Sequence, residues 1–240
     1  HDETVLLEDT SGLAPIDVGL GTAGAGAKYP DGGAVAGIGG ENGAILAPKL
    51  GKLWFTDRTA IASVEFDKPS EISVDAADAD DVVVDALGAA HTVDIATGVT
   101  GTWRTPDQVD PDRSQFAGPL TDGQYALTTV GGRLVALDRK QGTLQVDGGG
   151  SFPMGELGDL AAVQLQWPGP EADGVVVATP AGLYRVSLSD GSVTILHDGE
   201  AGAAARSVVL NGCVYGAWTT TSVRLCGEKV TRGQQPGENE

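Results

Sequence analysis

Short apolar runs recur along the chain, and small polar segments separate them. The clearest runs are Leu53–Phe55, Val82–Val84, Leu134–Leu137, Val175–Val177, Val193–Leu196 and Ser207–Leu210. Between them stand pairs typical of tight turns, such as Gly131-Gly132, Asp190-Gly191 and Asn211-Gly212. Short β-branched runs bounded by turn residues, without long helical periodicity, predict an all-β fold of the sandwich, barrel or propeller type.

One hairpin-like pattern is repeated within the sequence. Residues 182–193 align without gaps on residues 133–144, residues 89–100 form a third copy, and residues 61–72 form a degenerate fourth. Each copy predicts a strand, a tight turn containing Gly or Pro, and a returning strand, with a further apolar run in front. The turn residues Pro69, Gly98, Gly142 and Gly191 are 29, 44 and 49 residues apart. An irregular period of about 40 residues with several strands per unit is typical of β-propeller blades.

We therefore predict a β-propeller of about five or six small, degenerate blades over residues 1–226, with a β-sandwich as the alternative. The final hairpin, Ser207–Cys226, and an irregular N-terminal segment would complete the blades. Only residues 155–166 and the Ala-rich run near Ala203 could form a helical turn. Residues 227–240 have almost no apolar side chains, which predicts a disordered tail or a linker to a following domain.

A glycine motif near the N-terminus matches the dinucleotide-binding pattern G-x-G-x-x-G, with Gly19, Gly21 and Gly24 in the glycine positions. That motif binds pyrophosphate only where a helix begins at the last glycine. Pro30 and several further glycines follow Gly24 and are incompatible with a stable helix. We predict a surface loop and no dinucleotide cofactor.

Charge limits the classes of partner. The net charge is −18, from 33 acidic and 15 basic side chains, so nucleic acid and anionic membrane surfaces are poor candidates. No apolar run approaches the about 20 residues of a membrane span, so we expect no membrane insertion within this segment. Because the single Met is Met154, we expect a processed or excised chain. We further expect a monomer without a cofactor, whose ligand is an unknown protein or carbohydrate.

The two cysteines fall at matching positions of a predicted hairpin. Residues 213–218 and 221–226 form its arms around Thr219-Thr220, which places Cys213 opposite Cys226. Directly opposed residues on antiparallel strands lie about 4.5–5.5 Å apart at Cα, within reach of a disulfide. We predict this disulfide, which indicates an extracellular or cell-surface location; two buried free thiols in a cytosolic protein are the alternative.

Around this hairpin the sequence resembles a known group of proteins. The pattern "NGCVYGAW…VRLC", together with the repeats, is similar to the N-terminal extracellular region of large surface proteins of high-GC Gram-positive bacteria. Those proteins carry a membrane anchor and a degenerate propeller, followed by Ig-like or fibronectin type III domains. The resemblance implies a surface-exposed, non-enzymatic module, and it brings no family active site.

Candidate chemistry is sparse. The sequence has no G-x-S-x-G motif, and its three histidines, His1, His91 and His197, have no companion motif, so we predict no catalytic residue and no metal ligand set. We interpret His91 and His197 as ordinary residues. The four tryptophans are expected in the core rather than stacked on sugars: Trp54, Trp103, Trp167 and Trp218.

Two acidic clusters supply the alternative function. The first comprises Asp75, Asp78, Asp80 and Asp81, and the second Asp107, Asp110 and Asp112. Paired carboxylates could serve a hydrolase or lyase acting on polysaccharide at the propeller axis, or bind Ca²⁺. The enzyme hypothesis requires acidic loops to converge on one site; otherwise we interpret them as solvated loops. We therefore expect a non-enzymatic binding or scaffold module.

Overall fold

The computed structural model describes the following residues: 4–9, 12–17, 22–23, 27–28, 45–47, 50, 52–56, 61–65, 72–76, 79–85, 87–105, 107–157, 160, 164–166, 173–198, 206–210, 213–218, 221–227 and 229–234. Within these ranges, every regular element of four or more residues is a strand. The described strands form six four-stranded antiparallel sheets, named A to F in chain order.

Three sheets precede residue 116. Sheet A contains β1 (Thr4–Asp9), β2 (Gly12–Asp17), β3 (Thr22–Ala23) and β4 (Ala27–Lys28). Sheet B contains β5 (Ile45–Ala47), β6 (Lys52–Thr56), β7 (Ile61–Glu65) and β8 (Ile72–Ala76). Sheet C contains β9 (Asp81–Val84), β10 (Ala90–Val93), β11 (Val99–Trp103) and β12 (Asp112–Gln115).

Three sheets follow. Sheet D contains β13 (Tyr125–Val130), β14 (Arg133–Asp138), β15 (Thr143–Val146) and β16 (Ser151–Pro153). Sheet E contains β17 (Gln164–Gln166), β18 (Gly174–Thr179), β19 (Gly182–Ser187) and β20 (Val193–Asp198). Sheet F contains β21 (Arg206–Leu210), β22 (Cys213–Ala217), β23 (Thr221–Cys226) and β24 (Lys229–Gln234). In sheets B to F the strands lie side by side in chain order.

The predicted hairpins are confirmed. The four aligned copies correspond to β7–β8, β10–β11, β14–β15 and β19–β20, and each pair is antiparallel. Three of the predicted turn glycines, Gly98, Gly142 and Gly191, have positive φ angles. L-residues with a side chain rarely adopt that conformation, so the repeated glycine reflects the geometry of the turn.

The fourth strand of a sheet follows the repeated unit in some sheets and precedes it in others. In sheets C and D the aligned hairpin occupies the second and third positions, and β12 or β16 follows it. In sheets B and E the hairpin occupies the third and fourth positions, because β5 or β17 lies in front. The repeated unit is thus three strands, as the sequence predicts, and the fourth comes from the segment that precedes or follows it.

Contacts divide the chain into two compact units. One comprises residues 1–95 with 99–113, and the other residues 96–98 with 114–240. The first unit has a core of Leu50, Ala79, Val82, Ala90 and Trp103. The prediction that residues 1–226 form a single domain stays a prediction.

Sheet E is buried on both faces within the second unit. Val175 and Val177 pack in the cluster formed with sheet D, whereas Val176 and Ala178 pack in the cluster formed with sheet F. Alternate side chains of β18 therefore serve two different cores, which explains its continuous apolar sequence. Each fully buried valine contributes on the order of 1.5–3 kcal/mol of transfer free energy.

The structure corrects the predicted tail. The sequence predicts a disordered tail or a linker over residues 227–240. In the structure, Lys229–Gln234 forms β24 and pairs with β23 along its whole length. Pairing with an open sheet edge uses backbone groups and requires no apolar side chains, so composition did not indicate it. Residues 235–240 lie outside the described residues.

The possible helical turn and the glycine-rich motif of the sequence both contain strands in the structure. Residues 155–166 contain a 3₁₀ turn, Gly155–Leu157, followed by the strand β17 rather than a helix. In the glycine-rich motif, the described residues Thr22–Ala23 and Ala27–Lys28 are strands paired with β2. A strand directly after Gly21 and Gly26 differs from the helix that a dinucleotide site requires. Across the part of the chain that the structure describes, no helix has the length and apolar character needed to cross a membrane.

Candidate functional site

The predicted disulfide is present on sheet F. Cys213 and Cys226 are opposed across β22 and β23, with a Cα–Cα distance of 4.4 Å and an S–S distance of 2.07 Å. At the far end of the hairpin, the backbone N–H of Trp218 donates to the carbonyl of Thr221 at 2.8 Å. This bond lies at the closed end of the hairpin and supports the register that brings the two sulfurs together.

Arg224 lies on the same face of the sheet as the disulfide. Its Nη2 is 3.7 Å from Sγ of Cys213, and its guanidinium carbon is 5.8 Å from the centroid of the Tyr215 ring. Tyr215 is the direct cross-strand partner of Arg224, so the register itself creates this cation–π contact. Among the described residues, no carboxylate forms an ion pair with Arg224. The contacts position the guanidinium without neutralising it.

A cavity of about 480 Å³ opens beside this arginine. Its described lining residues are Ser207, Tyr215, Gly216, Ala217, Ser222, Val223, Arg224, Thr231, Arg232 and Gly233. None of them is acidic, in a chain with a net charge of −18. The cavity is therefore a local exception to the acidic character of the chain.

The strand register assigns the lining residues to two faces. Tyr215, Arg224 and Thr231 form one cross-strand row, and Ala217, Ser222 and Gly233 form the next row on the same face. The other lining residues belong to the intervening row, whose side chains point to the opposite face in a regular sheet. The face that carries the cavity thus bears one cation, one phenol and two hydroxyls, whereas the wall of the cavity itself is mostly apolar.

The opposite face of sheet F anchors it to sheet E. Val214, Val223 and Leu225 are buried there together with Trp218. The Trp218 indole N–H donates to the Thr179 carbonyl at 3.2 Å, and its ring centroid is 5.0 Å from that of His197. This packing joins sheet F to sheet E and places His197 against the Trp218 ring.

A buried polar network lies in sheet C. His91 Nε2 is 3.0 Å from Oδ2 of Asp85, and its Nδ1 is 3.2 Å from the hydroxyl of Thr102. The other carboxylate oxygen of Asp85 accepts the backbone N–H groups of Leu87 and Ala89 at 2.8 and 2.9 Å. The exposed fractions of His91, Thr102 and Asp85 are 1%, 5% and 7%.

The network has the residue types of a nucleophile triad but not its accessibility. A nucleophile must reach the substrate, and the Thr102 hydroxyl is enclosed between strands. Burial raises the pKa of Asp85, but the hydrogen bonds from His91 and the backbone N–H groups of Ala89 and Leu87 outweigh it, so the pKa is lowered overall. We interpret the network as a cross-strand staple that joins β9, β10 and β11.

The described members of the two acidic clusters that adjoin sheet C lie at opposite ends of it. Asp81 pairs with Val93 at one end, whereas Trp103, which precedes the second cluster, pairs with Ala90 at the other end. Asp80 accepts the Ile95 N–H at 2.7 Å, and Asp112 forms an ion pair with Arg104 at 3.2 Å. The described carboxylates that adjoin sheet C therefore do not converge on one site.

The remaining candidate residues are placed as follows. Trp103 and Trp218 are buried, which confirms the core interpretation for both. His1 and Trp167 lie outside the described residues, as does the side chain of Trp54. Over the described ranges, no group of three or more His, Cys, Asp or Glu side chains is arranged to hold a metal ion.

Known structures resemble the fold rather than the sequence. No family model matches the chain, and no curated protein matches it significantly. A streptogramin B lyase structure superposes with a TM-score of 0.53 at 11% identity, covering 98% of this chain and 80% of the lyase. Dihydro-heme d1 dehydrogenase NirN in complex with DHE gives 0.57 at 10% identity, covering 97% of this chain and 55% of the enzyme.

A third structure is the extracellular domain of the putative hybrid two component system BT4673 from B. thetaiotaomicron. It gives a TM-score of 0.56 at 11% identity and covers 100% of this chain, which spans 36% of that domain. These similar proteins are β-propellers. At this level of identity the similarity concerns architecture alone, and it agrees with six small sheets of meandering strands in the described residues. The chain has an all-β fold of the β-propeller type.

Proposed function

We propose that this chain is a non-enzymatic, extracellular binding or scaffold module of a bacterial cell-surface protein. The observation that carries the proposal is the Cys213–Cys226 disulfide, because such bonds persist in oxidising compartments and are rare in the reducing cytosol. The fold similarity to an extracellular domain supports the same location. The resemblance of the hairpin sequence to bacterial surface proteins with fibronectin type III domains supports the cell surface.

A binding role is supported by the distribution of polar groups. The cavity of sheet F offers a positioned arginine and two hydroxyl side chains on a rigid sheet, as binding sites do. The His–Asp–Thr network is enclosed, and the described carboxylates that adjoin sheet C lie at different ends of it. The described residues thus provide recognition groups beside a cavity, and the buried Asp85 and His91 are engaged in internal hydrogen bonds.

Cell-surface accessibility tests the proposal. In intact cells of the native host, an external protease and a membrane-impermeant amine label should reach the protein. Denaturing alkylation should modify neither cysteine before reduction and both afterwards. A cytosolic marker protein provides the control for lysis. Full protection from the protease, together with two free thiols, would contradict an extracellular location.

A further inference from the structure

The cavity of sheet F carries an inference about ligand chemistry, which rests on the proposed binding function. We propose that this cavity binds a saccharide bearing a carboxylate group, of the hexuronate type. Arg224 would bind the carboxylate, and Ser222 and Thr231 would bind sugar hydroxyls.

The cation is the first argument. The planar guanidinium of arginine matches a carboxylate with two parallel hydrogen bonds. Arg224 is already positioned by Tyr215 and Cys213, so little side-chain entropy remains to be lost on binding. Its lack of a carboxylate partner among the described residues leaves the charge available for a ligand.

The arrangement of the row is the second argument. Thr231 is the cross-strand neighbour of Arg224, and Ser222 lies two residues from it on the same face. Directly paired residues have Cβ atoms about 5 Å apart, and residues two positions apart on one strand are about 6.5–7 Å apart. Both hydroxyl side chains thus lie on the face that carries Arg224, as a ligand with one carboxylate and several hydroxyl groups requires.

Size and charge form the third argument. A cavity of about 480 Å³ lies within the range of small-ligand sites, and Ala217 and Gly233 leave room above the sheet. The net charge of −18 repels polyanions such as nucleic acids or acidic peptides at long range. A ligand with one carboxylate among neutral hydroxyls gains the local contact with Arg224 and experiences the least repulsion.

The test is a titration of the oxidised full chain with glucuronate, monitored by calorimetry or by NMR line shifts, with glucose as the neutral match. We expect saturable binding of glucuronate and at least tenfold weaker binding of glucose. Arg224→Gln should weaken glucuronate binding at least tenfold. Arg133→Gln is the matched control, because Arg133 is exposed on β14 of sheet D and does not line the cavity, and it should bind as the wild type does.

A second variant covers the case in which Arg224→Gln disturbs the fold. Ala217→Leu fills the cavity floor and leaves the arginine in place, so it too should weaken glucuronate binding. Thermal melts and the alkylation pattern show whether each variant is folded with its disulfide intact. Equal binding of glucose and glucuronate, no binding by the wild type, or full binding by folded Arg224→Gln would overturn the proposal.

The two proposals fail in different ways. A protein that is exposed on the cell surface and binds no glucuronate retains the proposed function but refutes this ligand class. A protein that binds glucuronate through Arg224 but is protected inside intact cells refutes the extracellular function instead.

Discussion

The Asp85 carboxylate and the His91 imidazole are 3.0 Å apart and almost completely buried. Asp85 begins the turn after β9, and His91 lies on β10 with Thr102 on its other side. A buried polar group without a partner is costly, so each of the three side chains depends on the other two. The network therefore links the stability of a tight turn to the pairing of the inner strands of sheet C.

Asp85→Asn should lower the free energy of unfolding by about 1–3 kcal/mol, because the amide is a weaker acceptor for the imidazole and the turn N–H groups. Urea denaturation followed by circular dichroism measures the change. Asp122→Asn is the matched control, because Asp122 is exposed, and its effect should stay within about 0.5 kcal/mol. Equal stability of the two variants would show that the network contributes nothing.

The same carboxylate predicts a pH dependence. The pKa of Asp85 is lowered in the folded state from its ordinary value of 3.8, so ionised Asp85 stabilises the fold above that value. This contribution is lost as the pH falls below about 4, through the folded-state pKa. The stability difference between wild type and Asp85→Asn should therefore shrink as the pH falls below about 4. A difference that grows on acidification would contradict the sign of the shift.

Loss of the disulfide should destabilise sheet F moderately. The cysteines are 13 residues apart in sequence, and closing so short a loop contributes about 3 kcal/mol in the chain-entropy model. The double variant Cys213→Ser, Cys226→Ser should show this loss in urea denaturation. Reduced wild-type protein is the comparison, and it should unfold at a similar urea concentration. Unchanged stability on reduction would mean that β22 and β23 are fixed by packing alone.

Gly98 is required by its turn for two reasons that can be separated. Its φ angle is +75°, and a Cβ atom would lie 2.6 Å from the carbonyl oxygen of Gly118. Gly98→Ala should therefore cost more than the about 1–2 kcal/mol of a left-handed alanine. Gly123 has a φ of +65° with open space around it, so Gly123→Ala isolates the conformational cost. Equal unfolding free energies for the two variants would show that the Gly118 backbone moves aside.

Local patterns in the sequence predicted the repeated hairpins and the disulfide. The register of β22 and β23 follows from counting outward from Thr219-Thr220, and the same count pairs Tyr215 with Arg224. The sequence therefore contains enough information to predict the cation–π contact, because the contact follows from the register of this hairpin. The unbroken valine run of β18 also indicates burial of both faces of this strand, and its consecutive residues do face different cores.

Other features depend on information that is not local. The Asp85 network requires β9, β10 and β11 to be aligned at once, and no spacing in the sequence fixes three strands together. Strand β24 forms by backbone pairing with β23, so its polar composition carried no signal. The opposite placement of the acidic clusters likewise depends on strand direction, because each cluster alone is only a loop rich in carboxylates.

The placement of the fourth strand has a consequence for moving these sheets between proteins. A segment that is to retain all four strands of sheet D must end after β16, whereas one that retains sheet E must begin before β17. If both segments were cut at the same boundary relative to the repeat, one of the two sheets would keep its four strands and the other would lose an edge strand. The repeated unit of the sequence and the four-stranded sheet are therefore offset from one another, and a graft designed from the repeat alone would expose an unpaired edge.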